Sequence, residues 1–234
     1  MSDILASFAL AVRLIAGADR ELRRIVSLSL EVSLAAALMA CAIGLPLGAW
    51  IAVHRFRGRR VAIVFLNALL GLPSVVVGLV VYLMLSRAGP LGSLGILFTP
   101  TAIVIAQTLL VLPMVAALCR QMVEDGWAEY REQLTSLGVS PARAVPTLLV
   151  DLRFSLLTVV LLGFGRAASE VGAVMVVGGN IDGVTRVMTT AITLETTKGD
   201  LPLALALGIV LILVVLAVNA LAYALREWSA RRHG

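Results

Sequence analysis

The sequence predicts an all-α integral membrane protein with five transmembrane helices, organised as one domain over residues 1–234. Three observations predict it. Of the 234 residues, 60% are hydrophobic and only 14% charged, with a mean hydropathy of +1.00, which exceeds what one water-soluble core of this size can enclose. Four runs free of Asp, Glu, Lys and Arg (32–53, 61–86, 88–119 and 201–225) each reach the roughly 20 residues that cross about 30 Å of hydrocarbon as helix. A further run, 154–177, is long enough to cross but carries Arg166 and Glu170 near its middle.

In chain order, the apolar stretch 4–15 is about a third too short to span a bilayer. Ile4, Phe8, Val12 and Ile15 share one helical face, so residues 1–24 are predicted to be an amphipathic segment lying in the membrane interface. No basic region precedes the stretch, unlike a cleavable signal. Each of the next three spans holds a proline, Pro46, Pro73 and Pro113, which frees a carbonyl and predicts a bend.

Residues 120–153 form the one sizeable polar segment between spans. Helix-forming composition over 127–137, a stop at Gly138, and Ser140 with Pro141 as cap and first turn of a second helix predict two short helices lying flat on the membrane face. After the fourth span, Gly178, Gly179 and Asn180 are predicted to end the helix and turn the chain, offering backbone amides as a candidate anion contact. Val184, Met188, Ile192 and Glu195 then mark a short amphipathic helix before the last span.

Alternation of spans groups eleven Lys and Arg residues on one side, including the dense "HRFRGRR", against seven on the other. The positive-inside rule makes the richer side cytoplasmic, which places the N-terminus outside and the C-terminus and residues 120–153 in the cytoplasm. The net charge of +5 thus reads as membrane orientation, with no nucleic-acid partner expected.

Several chemistries are excluded by what the chain lacks. Lys198, its single lysine, is followed by Gly199, so a nucleotide phosphate loop is impossible. Cys41 and Cys119 lie inside spans, and His54 and His233 belong to no ligand-spaced group, so no metal, cofactor or catalytic residue is expected. Any fuel, ATP with its Mg, is expected on another chain.

"EQLTSLGVSPARAV" resembles the cytoplasmic loop shared by permease subunits of ATP-binding cassette importers, with Gln133 and Leu134 in place of the usual alanine pair and Asp151 where proline is common. "GLPSVVVGL", "GPLGSLGILFTPTAIVIAQTLLVLP" and "GFGRAASEVGAVMVVGGNIDGVTRVMTTAITLETTKGD" are similar to the molybdate, tungstate and sulfate branch, closest to tungstate permeases, over residues 25–225. The resemblance implies a type I importer fold, a homodimer of ten spans in the inner membrane around a shared pathway, two cytoplasmic ATPase subunits and an external substrate-binding protein. It also makes Glu132, Leu137, Gly138, Ser140 and Pro141 the candidate ATPase-coupling residues.

A charge in mid-membrane costs about 2.5–3.5 kcal/mol on insertion scales, so Arg166 and Glu170 need a reason. Four apart, they share a helix face and can pair. One reading is an ion pair that locks two helices, helped by the small residues around it. The other makes Arg166, Glu170, Gly172 and Asn180 border a translocation pathway, with Arg166 drawing an anion and Glu170 holding Arg166 in place. Function follows as a tungstate permease subunit; molybdate or sulfate permeases and a proton-coupled carrier using Arg166 and Glu170 are the alternatives.

Overall fold

The computed structural model describes residues 2–17 and 19–233, and places them in ten α-helices: α1 (Ser2–Ala16), α2 (Arg20–Val53), α3 (Arg59–Leu70), α4 (Ser74–Leu85), α5 (Pro100–Ser136), α6 (Pro141–Asp151), α7 (Arg153–Ala168), α8 (Gly172–Gly178), α9 (Met188–Lys198) and α10 (Leu201–His233). Helices α2, α5 and α10 are each long and apolar enough to cross a membrane. Two further crossings can only be made by pairs of helices that bend sharply, by 100° between α3 and α4 and by 77° between α6 and α7.

The centre of the molecule is the seam between α2 and α5. Ala36, Ala40, Gly44, Gly48 and Ala52 recur every four residues on α2 and are buried, forming a smooth stripe on one face. Against it lie Val111, Val115 and Cys119 of α5, and the Cys119 thiol donates to the Leu45 carbonyl at 3.2 Å. At one end of the seam Arg59 ties three helices together. Its Nε donates to Ile51 O at 2.9 Å at the end of α2, and its Nη2 meets Glu124 Oε1 of α5 at 2.9 Å. Arg120 holds the other oxygen of Glu124 at 2.5 Å. A cation at the C-terminus of α2 also opposes the negative end of its macrodipole.

Three sequence expectations about the spans change in the folded chain. The second span is not one bent helix, because Pro73 stands before the first residue of α4 and the chain breaks there. Twelve residues of helix make about 18 Å, so α4 alone reaches little more than halfway through the hydrocarbon. The third span does not stop at Cys119, where its charge-free run ends. Residues 127–136 are its direct continuation, so the pair of short flat helices is instead one long helix, a turn, and α6. The fourth apolar run is two helices, α7 and α8, with Arg166 in the last turn of the first and Glu170 in the gap between them.

At the end of the molecule opposite Arg59, α1, α9 and α10 pack together with the start of α2. Ala11, Leu22, Ile25, Met188, Ala191, Ala206 and Leu207 make this core. Phe8 and Val12 are exposed and the face of α1 turned inward is that of Ala11, Leu14 and Ile15; the Ile4 side chain lies outside the described residues. The first span begins at Arg20, capped by Asp19, rather than after residue 24. Val184 precedes α9, while Met188 and Glu195 are on its buried side and Glu195 pairs with Lys198 at 3.0 Å.

Candidate functional site

The two interrupted spans meet at their breaks. Gly172, the first residue of α8, faces Ser74 and Val75, the first residues of α4, so closely that a β-carbon would lie 2.7 Å from Val75 Cγ2 and 2.8 Å from Ser74 Oγ. Farther along the same seam, Gly78 of α4 rests on the backbone of Ala173, where a β-carbon would come within 2.7 Å of Ala173 Cα. Small residues are therefore what lets α4 and α8 lie in contact.

Glu170 sits in that gap with its side chain only 4% exposed. Its Oε2 takes Arg166 Nη1 at 2.5 Å and its Oε1 accepts the Ala173 amide at 3.1 Å, which satisfies one of the unpaired donors opening α8. The Ser74 hydroxyl of α4 lies beside the carboxylate. On the main chain, Glu170 N donates to Ala167 O at 3.1 Å, and Glu170 O accepts the Thr189 hydroxyl at 2.7 Å. A carboxylate buried in a membrane protein is costly unless paired and hydrogen-bonded, and this one is held from α7, α8 and α9. The predicted pair forms, though across the end of a helix rather than along one.

Arg166 differs from its partner. Its side chain is 37% exposed, and among the described residues Glu170 is the only acid it pairs with. A guanidinium has five N–H donors. The pair therefore has a fixed, enclosed acid and a half-open base. Beside them, Gln107 of α5 is 2% exposed and its Nε2 donates to Ala167 O at 3.0 Å, while its Oε1 has no partner among the described residues.

Asn180 is not part of this cluster. It lies beyond α8 in a left-handed conformation (φ 51°), with Nδ2 3.5 Å from Thr190 O and a buried Oδ1 without a partner. Of the amides in this turn, Gly179 N donates to Met175 O, and the next residue's amide, Ile181 N, donates to the Thr185 hydroxyl. That turn is closed instead by Phe98, whose amide bonds Val177 O at 3.1 Å and whose ring lies against Gly179.

The coupling candidates gather at the elbow between α5 and α6. Helix α5 ends in a Schellman turn, with Val139 N donating to Leu134 O and Gly138 N to Thr135 O, and Gly138 at φ 71°. Ser140 and Pro141 start α6, and Ser140 makes no side-chain cap bond. Glu132, Leu137, Gly138, Ser140 and Pro141 are all exposed, Leu137 to 77%, and Glu132 has no ion pair among the described residues. A groove of about 250 Å³ lined by Tyr130, Leu134, Leu137, Thr147 and Asp151 opens beside them.

Ser74, Gly78, Gln107 and Thr189 belong to the site and were not singled out by sequence. Only Gln107, an amide inside an otherwise apolar run, left a signal there.

Helices broken inside an apolar bundle, a buried ion pair at the break and an exposed elbow define a membrane transport protein of the permease class. Residues 44–233 match the family of binding-protein-dependent transport system inner membrane components, and the chain belongs to it. It is 41% identical, over 97% of its own length and 100% of the relative's, to a tungstate uptake system permease protein of Peptoclostridium acidaminophilum. A probable anion ABC transporter permease protein of Haloferax volcanii is 39% identical, over 90% of this chain and 93% of the relative. A tungstate uptake system permease protein of Campylobacter jejuni is 40% identical, over 74% and 72%. The chain is thus a multi-pass inner-membrane permease component and not an enzyme by itself, and membership implies an ATPase, an external binding protein and a dimeric permease.

Proposed function

We propose that two copies of this chain form the pathway of an ATP-driven tungstate importer, with molybdate, of the same charge and nearly the same size, as the next candidate cargo. The half-open Arg166, held on a buried Glu170 where two broken spans meet, carries the reading: it presents positive charge within an apolar run beside an enclosed counter-ion. The near full-length similarity to a tungstate permease supports the choice of cargo.

In this mechanism the cargo, delivered by an external binding protein, passes Arg166 as the dimer alternates between outward and inward access. ATP and Mg belong to a pair of cytoplasmic ATPase subunits that receive α6 and the exposed elbow. The elbow and the C-terminus face the cytoplasm and the N-terminus lies outside, as the "HRFRGRR" loop favours. Gly172 keeps α8 against α4, and Asn180 shapes the outer turn.

Reconstituted uptake tests it. Tungstate import should need the co-expressed ATPase and survive collapse of the proton gradient; uphill uptake by the permease alone would refute the reading. Competition between tungstate and molybdate, with the binding protein present, assigns the cargo. Arg166→Gln should abolish uptake while the complex still assembles, and a complex that falls apart would return the pair to a purely structural role.

A further inference from the structure

We propose that Glu170 is a resident counter-anion that sets the permease's affinity for its cargo, by competing with the oxyanion for Arg166; this rests on the reading that Arg166 meets the cargo. The asymmetry of the pair is the starting point. Glu170 cannot leave, since both carboxylate oxygens and both backbone groups are bonded, to Arg166, Ala173, Ala167 and Thr189. Arg166 is half exposed, is the mobile partner by virtue of its long side chain, and has donors to spare beyond the Nη1–Oε2 bond.

An arriving oxyanion therefore meets a cation whose charge is already matched. To bind, it must share or take the guanidinium while a fixed negative charge stands just behind it. When it leaves, Arg166 falls back on Glu170, so no bare cation is exposed to the low-dielectric interior. Weak, reversible binding is what a conduit needs, because a site that holds its ion too well does not pass it on. Arg186 pairs with both Glu21 and Asp182, but the Arg166 pair stands apart from them, with no third charged residue bonded to it among the described residues.

Glu170→Gln keeps the size of the side chain and an acceptor for the Ala173 amide while removing the negative charge. The assembled permease–ATPase complex in lipid nanodiscs, equilibrated with tungstate or molybdate, should then bind the oxyanion at least about tenfold tighter than the unmodified complex. Uptake should show a lower KM together with a lower turnover, a split that a merely structural role would not produce. Glu170→Asp, which restores the charge, should return affinity toward the original value, and Arg166→Gln combined with Glu170→Gln should lose the gain. An assembled Glu170→Gln complex that binds no tighter overturns the proposal.

If Glu170→Gln does not assemble, infrared difference spectra of the unmodified complex carrying 13C-carboxyl glutamate decide. Adding tungstate should shift a labelled carboxylate band as Arg166 is drawn away, and an unchanged band overturns the proposal. Uptake that survives Arg166→Gln would instead sink the pathway reading beneath it, so the two failures are distinguishable.

Discussion

Replacing Gly78 by alanine puts a methyl group into the seam between α4 and α8. The new β-carbon would lie 2.7 Å from Ala173 Cα, 3.2 Å from its carbonyl oxygen and 3.3 Å from its β-carbon. Two of these atoms are main chain and cannot rotate away, so the helices must separate by roughly 1 Å to reach an ordinary carbon contact. Overpacking of this kind costs about 1–3 kcal/mol, and at 2 kcal/mol a chain of this length loses roughly 4–8 °C of thermal midpoint. The shift also parts Ser74 and Val75 from Gly172 beside Glu170, so uptake should fall beyond what lost stability explains. Gly208→Ala on α10, where no atom beyond its own stretch of helix lies within 4 Å of the added carbon among the described residues, is the matched control and should keep full uptake with a midpoint held or raised. Thermal unfolding of the purified complex by intrinsic fluorescence, alongside tungstate uptake, reads both. A Gly78→Ala midpoint within about 1 °C of the original, with full uptake, would show that the seam is not packed as described.

Gly138→Val should strain the left-handed turn by about 1–2 kcal/mol and leave ATP hydrolysis running without transport, measured as the ratio of phosphate released to tungstate imported. Arg59→Gln should loosen the junction of α2, α3 and α5 by about 1 kcal/mol, because Arg120 still holds Glu124; a loss of several kcal/mol in chemical unfolding would mean the clamp carries more than its geometry suggests. Gln107→Leu removes one hydrogen bond together with an unpartnered buried oxygen, so stability should change by under about 1 kcal/mol.

Two copies of one tripeptide show how far the fold was legible in the sequence. Gly44-Leu45-Pro46 and Gly71-Leu72-Pro73 read alike, and both predict a bend inside an apolar run. The first lies within unbroken α2, where Gly44 is buried and a β-carbon there would meet Val115 at 2.9 Å. At the second, Gly71 is exposed with only its own helix nearby, and the chain turns by 100°. Packing against α5 decides between the outcomes, and packing is not a local property. The turn at Gly138 was readable because a left-handed residue after a helix is a local preference, whereas Trp127 to Ser136 could not be told from a separate helix by composition. Arg166 and Glu170 stood out as charges in an apolar run, but Ser74, Thr189 and Gly78 are ordinary until two breaks bring them together.

The unbroken course of α5 has a mechanical consequence. Its 37 residues make a strut about 55 Å long, from the turn at Thr99 to the elbow at Leu137. A strut that long pivots as a whole: tilting it by roughly 5° sweeps one tip about 5 Å relative to the other. A displacement at the Leu137 end would then reach the Thr99 end as a tilt of the whole helix, with Gln107 riding the shaft beside the charged break.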